Sequence, residues 1–455
     1  MKITSINPAT GKEIRSYTQH TDEEAAIILE KAENAFQGWK NTSFEDRSLL
    51  MMNAAKVLMN NKDRYAAVMT DEMGKTLKSA QAEIEKCAWV CQFYAEKAPQ
   101  FLQDEIIETD ASKSYVTCSP LGVVLAVMPW NFPFWQVFRF AAPALMAGNA
   151  GILKHASNVP HCGQLIQEVF EEAGFPKNLF TNLWISGKQV EKIIENPVIK
   201  AVTLTGSEKA GSAVASKAAE NIKKAVLELG GSDAYIILED ADLDLAAKQC
   251  AESRLLNSGQ SCIGAKRFVV LEQVYDEFLL KFKEQMESAV MGDPTKAETT
   301  LAPMARADLR DELHNQVLES VRVGAEILIG GYIPEGEGAY YPATILTHVE
   351  PGMPAYEEEL FGPVASVIKV KNEAEAIKVA NDSKYGLGSG VFTSDLSRGE
   401  RIAKYELEAG SSFVNQYVKS DPRLPFGGIK ISGFGRELSH HGIKEFVNSK
   451  TIYIA

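Results

Sequence analysis

Apolar runs of strand length alternate with helix-like segments through most of this chain, and that alternation limits the folds that it can adopt. The runs occur at 122–128, 150–154, 201–205, 234–238, 267–271, 325–329 and 365–370. Continuous apolar runs of this length are typical of strands that are buried on both faces. Strands that alternate with helices form parallel sheets covered by helices. The pattern therefore predicts an α/β fold.

The N-terminal part is predicted to be mainly helical. Thr21 and Glu24 form a capping-box pattern, which begins a helix because each residue accepts an otherwise unpaired backbone N–H of the other. Further helices are expected within 44–96, at 274–291 and at 373–381, with a terminal strand at 450–455. The Gly230–Gly231 pair is a plausible domain boundary.

Composition and charge exclude several classes of protein. The chain has 455 residues, of which 45% are hydrophobic, and a net charge of −13. That length allows two or three packed units. No Lys/Arg run is concentrated enough to bind nucleic acid or an anionic membrane. No apolar stretch is long enough to span a membrane, and the N-terminus lacks an apolar signal core, so a cytoplasmic protein is expected.

The cysteines predict neither a disulfide scaffold nor a metal site. There are six, at Cys87, Cys91, Cys118, Cys162, Cys250 and Cys262. They form no Cys-x-x-Cys pair, and the seven histidines do not cluster with them. A reduced protein without a zinc site fits this distribution.

Cys262 is nevertheless a candidate nucleophile. Small residues and a glycine precede it, so its sulfur can be presented without steric cover on a tightly turning backbone. Glu228, between two leucines and before two glycines, could take a proton from the thiol or from a water. A single cysteine is more often a small buried hydrophobe. The pairing indicates covalent catalysis only because other motifs agree with it.

Those motifs resemble the aldehyde dehydrogenase superfamily over essentially the whole chain. They are PWNFP at 129–133, KHAS at 154–157, TGS at 205–207, LELGG at 227–231, GQSC at 259–262, ELFGP at 359–363 and PFGG at 425–428. The resemblance implies two Rossmann-like parallel-sheet domains plus a small β oligomerisation arm. It implies a dinucleotide-binding domain at 1–99 and 121–230, a catalytic domain at 231–431, and an arm at 100–120 and 432–455.

The resemblance also implies the catalytic roles. Cys262 would attack an aldehyde carbon, and Asn131 would donate a hydrogen bond to the resulting oxyanion beside the backbone N–H of the nucleophile. After hydride transfer, Glu228 would activate water to hydrolyse the thioester. Taken alone, Asn131 could be a turn residue and Glu228 a solvated charge.

A nicotinamide cofactor is expected on the same grounds. Its binding residues would be Trp130, Lys154, Ser157, Gly206, Ser207, Leu229, Glu359 and Phe361. Gly206 and Ser207 follow a predicted strand and open a helix, where backbone N–H groups can meet a pyrophosphate. Ser157 stands where many relatives have a glutamate that repels a 2′-phosphate. NADP is therefore preferred and NAD remains possible.

Within the superfamily, the chain is most similar to bacterial succinate semialdehyde dehydrogenases. The substrate residues would be Arg139, Trp135, Ser261 and Ser420. Arg139 lies in an aromatic stretch, needs an anionic partner, and could hold a substrate carboxylate bidentately. It could instead extend from a helix to water. Many such enzymes have a second arginine where this chain has Leu256, and a second cysteine where it has Gly264.

Other functions stay open at this stage. The same chemistry could act on glutarate semialdehyde or on a neutral aldehyde. A thiol hydrolase or acyltransferase could use Cys262 and Glu228 without redox chemistry, but the cofactor residues are present. A non-enzymatic protein on this fold would be expected to lose the nucleophile. The partners implied are a small aldehyde with a carboxylate and copies of the chain itself, as a homodimer or a dimer of dimers.

Overall fold

The computed structural model describes residues 2–455. Its strands are β1 (Lys2–Ile6), β2 (Glu13–Thr18), β3 (Glu105–Ile106), β4 (Lys113–Pro120), β5 (Val123–Met128), β6 (Ala150–His155), β7 (Phe180–Asn182), β8 (Ile199–Thr205), β9 (Lys224–Glu228), β10 (Ala234–Ile237), β11 (Arg267–Leu271), β12 (Glu326–Ile329), β13 (Thr344–Thr347), β14 (Val364–Val370), β15 (Gly388–Phe392), β16 (Ser411–Val414), β17 (Gly433–Phe434) and β18 (Val447–Ile454).

The α-helices are α1 (Asp22–Trp39), α2 (Phe44–Asn60), α3 (Lys62–Met73), α4 (Leu77–Phe101), α5 (Trp135–Met146), α6 (Pro160–Glu172), α7 (Gly187–Glu195), α8 (Glu208–Glu220), α9 (Leu243–Leu255), α10 (Tyr275–Glu287), α11 (Ala307–Arg322), α12 (Pro354–Glu357), α13 (Glu373–Asn381), α14 (Leu396–Tyr405) and α15 (Ser439–Lys444). Two short 3-10 helices lie at Leu256–Gly259 and Lys430–Ser432.

Two large sheets confirm the predicted α/β class. A six-stranded sheet has the order β17-β9-β8-β5-β6-β7, and a seven-stranded sheet has the order β12-β13-β14-β11-β10-β15-β16. All neighbouring strands are parallel except the pairs β17–β9 and β12–β13. Each apolar run predicted as a strand is one. Except in β12, an edge strand with exposed residues, their continuous apolarity follows from burial on both sheet faces.

The helical N-terminal region is also confirmed, with boundaries set by local chemistry. Thr21 and Glu24 make both bonds of the capping box at the start of α1. The helical block expected within 44–96 is three helices. α3 ends at Gly74, which adopts a left-handed φ of 86° and so stops the helix without a Cβ clash.

The six-stranded sheet gathers the motif residues at one edge. Lys154 is on β6, paired in register with Val127 of β5, and Thr205 at the end of β8 is paired with Glu228 at the end of β9. In parallel sheets the carboxyl ends of neighbouring strands meet at the same edge, and ligands bind there. The segments that follow β5, β8 and β9 therefore converge on one place.

A separate three-stranded sheet has the order β18-β4-β3. β18 pairs antiparallel with β4 from Val447 opposite Pro120 to Ile454 opposite Lys113. β17, within the range predicted for the arm, instead pairs with β9 of the six-stranded sheet. The domain limits and the oligomeric state stay predictions. Among residues 2–455, no helix is long and apolar enough to cross a membrane.

Candidate active site

Cys262 lies just beyond a sharply turned segment that follows α9. Asn257, Ser258 and Gly259 have left-handed φ values of 55°, 54° and 75°. A Cβ on Gly259 would lie 2.2 Å from the carbonyl group of Gly362, so only glycine fits there. The tight turn expected before the nucleophile is present, and it places the Cys262 side chain on the wall of two cavities.

The Cys262 thiol is neutral at rest. Burial raises its pKa to about 12, although Lys266 and Arg139 act in the opposite direction. Lys266 Nζ donates hydrogen bonds to the carbonyl oxygens of Cys262 at 2.6 Å and Ser261 at 2.9 Å. The nucleophile segment is therefore held by a buried ammonium, while the sulfur itself carries a proton until something displaces it.

Asn131 follows β5 and lies against the nucleophile segment. Its Nδ2 donates to the carbonyl oxygen of Gln260 at 3.1 Å, and Asn257 Nδ2 donates to the Asn131 carbonyl oxygen at 2.7 Å. A side-chain amide has two N–H groups, so one remains for a ligand. Asn131 and Cys262 line the same cavity, which is the arrangement that an oxyanion donor needs.

Glu228 lies behind the site in a cluster of buried charges. It is 2% exposed, lines neither of the two cavities around Cys262, and is grouped with Arg139 and Glu437. Burial raises its pKa well above the usual range, as does the neighbouring Glu437, and Arg139 only partly opposes this. Glu437 forms an ion pair with Arg139, and burial raises the pKa of Glu437 as well. Two neighbouring buried carboxyl groups disfavour each other's charged form.

One cavity, of about 270 Å³, is here called the cofactor-side cavity. Its lining residues include Pro129, Trp130, Asn131, Thr205, Gly206, Ser207, Leu229, Gly230, Cys262, Glu359 and Phe361. It unites six residues that were predicted to bind cofactor. Ser207 Oγ accepts from the Ala210 N–H at 3.4 Å and begins α8. That helix N-terminus attracts an anion such as a pyrophosphate.

Two aromatic rings and a carboxylate form part of the wall of this cavity. The Trp130 and Phe361 rings meet edge to face with centroids 5.7 Å apart. Glu359 Oε1 accepts from the Gly231 N–H at 3.1 Å and lies 3.3 Å from Lys266 Nζ. The result is an apolar slot beside an anchored carboxylate, as a nicotinamide with its ribose requires.

Two predicted cofactor residues lie outside this cavity. Lys154 is half-buried on β6, where burial lowers its pKa, and Ser157 is exposed just after that strand. β6 is next to β5 in the sheet. Both residues therefore lie at the carboxyl edge of the sheet, one strand away from the segment that carries Asn131.

The other cavity, of about 360 Å³, is here called the substrate-side cavity. Its lining residues include Glu83, Lys86, Phe132, Trp135, Arg139, Leu256, Ser261, Cys262, Tyr417, Lys419, Ser420, Asp421 and Phe426. The four predicted substrate residues, Trp135, Arg139, Ser261 and Ser420, are all among them. Aromatic walls and several charged groups make this a site for a small ligand that carries charge.

The anionic partner expected for Arg139 is a residue of the protein. The Arg139 guanidinium forms a buried ion pair with Glu437 and lies 4.4 Å from the ring centroid of Phe426. Its Nη2 donates to Thr205 Oγ1 at 3.3 Å. A carboxylate from a distant segment of the chain is therefore one anionic partner of Arg139. Direct substrate binding by Arg139 stays a prediction.

Three functional candidates were missed by sequence reasoning. Lys266 holds the nucleophile segment, Glu437 pairs with Arg139, and Lys86 lines the substrate-side cavity. Lys86 lies in a predicted helix, where a lysine is ordinary, and Glu437 lies near the C-terminus in a short polar stretch. Only their positions near Cys262 or Arg139 in the folded protein identify these three residues as functional candidates. Among residues 2–455, no group of three or more His, Cys, Asp or Glu side chains is placed to hold a metal ion.

Comparison with known proteins agrees with this geometry. The model of the aldehyde dehydrogenase family matches residues 1–452. A probable succinate-semialdehyde dehydrogenase of the NADP(+) kind from Synechocystis is 50% identical over 455 residues, covering 100% of both chains. The NADP(+) succinate-semialdehyde dehydrogenase 1 of Mycobacterium tuberculosis is 46% identical over 458 residues, again covering 100% of both. The solved structure of succinic semialdehyde dehydrogenase from Streptococcus pyogenes with NADP+ has a TM-score of 0.97 and 41% identity, covering 99% of each chain.

Proposed function

The chain belongs to the aldehyde dehydrogenase family, and we propose that it oxidises succinate semialdehyde to succinate with NADP as the preferred cofactor. The observation that carries the proposal is the substrate-side cavity, which joins the Cys262 thiol to cationic and hydroxyl side chains within aromatic walls. A neutral aldehyde offers these cationic groups no negative charge, so it gains less binding energy here than an aldehyde with a carboxylate. The names of the relatives from Synechocystis and Mycobacterium tuberculosis support the same substrate and cofactor.

The first chemical step uses Cys262 and Asn131. The thiol must lose its proton, and the thiolate then attacks the aldehyde carbon. The free N–H of Asn131 and the backbone N–H of Cys262 stabilise the oxyanion; one such donor contributes about 3–4 kcal/mol to the transition state. A nicotinamide dinucleotide bound in the cofactor-side cavity would accept the hydride. A thioester on Cys262 then remains.

The second step is hydrolysis of that thioester, assisted by Glu228. The raised pKa of Glu228 suits a general base that works near neutral pH. Since its carboxyl is buried and lies behind the cavity wall, it must approach the thioester in its deprotonated form before it activates water. The sum consumes one aldehyde, one oxidised cofactor and one water, and yields one acid, one reduced cofactor and one proton.

Cofactor choice follows from Lys154 and Ser157. An exposed neutral hydroxyl near a partly buried ammonium leaves room and positive charge for a 2′-phosphate. NAD lacks that phosphate and would gain less from Lys154. NADP is therefore expected to be used better, with NAD as a weaker substitute.

The test measures reduction of NADP and of NAD, separately, with succinate semialdehyde, glutarate semialdehyde and butanal. We expect kcat/KM with NADP and succinate semialdehyde to exceed that with butanal by roughly 100-fold, because the cavity contains polar groups that butanal cannot satisfy. Equal values for the three aldehydes would overturn the substrate assignment. Ester cleavage without reduction of either cofactor would instead indicate a thiol hydrolase.

A further inference from the structure

The substrate-side cavity contains one partly buried ammonium group that no protein carboxylate neutralises. Lys86, on α4, makes no ion pair with any carboxylate among residues 2–455, and its Nζ donates a hydrogen bond to Ser420 Oγ at 2.7 Å. The same Nζ lies 4.2 Å from the ring centroid of Trp135. An ammonium away from water without a counter-ion is costly, so a ligand anion is the natural partner.

The other charges around Lys86 are already matched. Glu83 pairs with Lys75 and accepts the backbone N–H groups of Phe134 and Trp135, each at 2.9 Å. Its carboxylate therefore has little capacity left for Lys86.

The other charged residues that line the substrate-side cavity are also paired with a partner or exposed to water. Asp421 pairs with Arg423 at 2.6 Å, and Arg139 pairs with Glu437. Lys419 also lines the cavity, but it is exposed and lies over the Tyr417 ring at 4.2 Å. Water screens an exposed ammonium of that kind. Lys86 is thus the cation of this wall that is both sheltered and unneutralised.

Lys86 and Ser420 can both donate hydrogen bonds to the same ligand group. An ammonium has three N–H groups, and one of them is directed to Ser420. Because the Ser420 oxygen accepts from Lys86, its own O–H is free to donate elsewhere. Both residues line the cavity that Cys262 also lines. A carboxylate at this point would accept one charge-assisted bond and one neutral bond.

We propose that Lys86 and Ser420 together bind the substrate carboxylate, with Lys86 supplying the positive charge that Arg139 has engaged with Glu437. This rests on the proposed function, since it requires a substrate with a carboxylate. Arg139 then acts mainly by neutralising Glu437, so that no buried anion repels the substrate. Lys86 is the specificity-determining residue for aldehydes that carry a carboxylate.

The test compares Lys86→Met with Lys97→Met, which removes an exposed lysine from the same helix, α4, outside the cavity. With succinate semialdehyde, we expect Lys86→Met to raise KM about 10- to 100-fold with little change in kcat, because a charge-assisted bond to a part of the substrate that does not react is lost. With butanal, kcat/KM stays as in the wild type, which also shows that the variant is folded. Lys97→Met leaves the kinetics with both substrates unchanged, and Lys86→Arg restores part of the affinity.

A pH profile of the wild type gives a second readout. Burial lowers the pKa of Lys86 to about 8, and Arg139 lowers it further, while Cys87, Glu83 and Asp421 act in the opposite direction. The ammonium is charged below that pH and neutral above it. The ratio of kcat/KM for succinate semialdehyde to that for butanal therefore falls as pH rises through about 8. Taking the ratio removes the titration of Cys262 and Glu228, which both substrates share.

The outcomes separate the two proposals. If wild-type protein does not prefer succinate semialdehyde over butanal, the proposed function fails and the role of Lys86 fails with it. If the preference exists but Lys86→Met leaves it intact, or if Lys97→Met abolishes it equally, only the role of Lys86 is wrong. A ratio that is constant through pH 8 would also contradict it.

Discussion

The two cavities that meet at Cys262 are built in different ways. The cofactor-side cavity is formed largely by segments that follow β5, β8 and β9, with close backbone approaches: a Cβ on Gly211 would lie 2.5 Å from Leu229 Cδ2, and one on Gly230 would lie 2.5 Å from Glu359 Oε2. The substrate-side cavity is formed by side chains of α4, α5 and the 417–426 segment, many of them charged. The shape of the cofactor-side cavity depends on the backbone. Ligand binding in the substrate-side cavity depends on which charged side chains lie next to one another.

This difference between the two cavities predicts where substitutions can change ligand binding. In the cofactor-side cavity, a Cβ added at Gly230 must displace the Glu359 carboxylate, which itself lines the cavity, so few substitutions there preserve its shape. A cavity built from side chains changes its ligand when a single charge changes, as long as the buried ion pairs around it stay balanced. Cofactor binding should therefore resist substitution on the substrate side, and substrate choice should not.

The largest expected effect is at the residue that both cavities share. Cys262→Ser should lower the rate of aldehyde oxidation by at least ~10³-fold, since a hydroxyl is a far weaker nucleophile than a thiolate. Binding of NADP, measured by titration of protein fluorescence, should persist because the cofactor-side walls are unchanged. Cys118→Ser is the matched control with normal activity. Dehydrogenase turnover retained in Cys262→Ser would refute the assignment of the nucleophile.

The second-largest expected effect concerns the buried ion pair between Arg139 and Glu437, behind the substrate-side cavity. Arg139→Met should lower the free energy of unfolding by about 3–5 kcal/mol, because Glu437 is left buried without a counter-ion. The double variant Arg139→Met with Glu437→Leu should recover most of this loss. Urea unfolding followed by circular dichroism measures both. Loss of the exposed ion pair in Lys192→Met should have little effect; an Arg139→Met effect equally small would mean that the buried pair does not stabilise the fold.

A smaller effect concerns the resting thiol between the cavities. Because burial raises the pKa of Cys262 to about 12, the thiolate fraction of the cofactor-free enzyme rises tenfold per pH unit. Alkylation of Cys262 by iodoacetamide, followed by mass spectrometry of its peptide, should accelerate roughly 100-fold between about pH 7 and pH 9. A rate that levels off below pH 9 would indicate a thiolate already formed in the free enzyme.

The smallest expected effect is on the cofactor side, outside the cavity. Ser157→Glu should lower the ratio of NADP to NAD kcat/KM by roughly 10-fold or more, since a carboxylate there repels a 2′-phosphate. Ser157→Gln has a similar volume without the charge and should shift the ratio much less. Equal shifts in the two variants would mean that space, and not charge, sets cofactor choice.

Much of the fold was predictable because its determinants are local. The capping box at Thr21 and Glu24 satisfies backbone groups within one turn, and each apolar run needs only burial to become a strand. The exception was the block within 44–96, which is three helices. Gly74 ends α3 through a left-handed conformation that hydrophobic periodicity does not reveal.

The residues of the cofactor-side cavity were easier to predict from the sequence than the charge pairs around the substrate-side cavity. Trp130, Gly206, Ser207 and Leu229 follow strand ends directly, so the geometry of the sheet brings them together. Sequence reasoning named Arg139 as a substrate residue but did not anticipate its ion pair with Glu437. It did not anticipate that Glu228 lies behind the cavity wall.

By itself, the sequence determined the α/β fold and the aldehyde dehydrogenase family, and it predicted Cys262 as the nucleophile. The tertiary structure alone decided which charges are neighbours: Arg139 with Glu437, and Lys86 with Ser420, which is 334 positions away along the chain. The physical reason is desolvation. A charge taken out of water needs a partner within a few ångströms, and packing, not sequence proximity, determines which residue stands there.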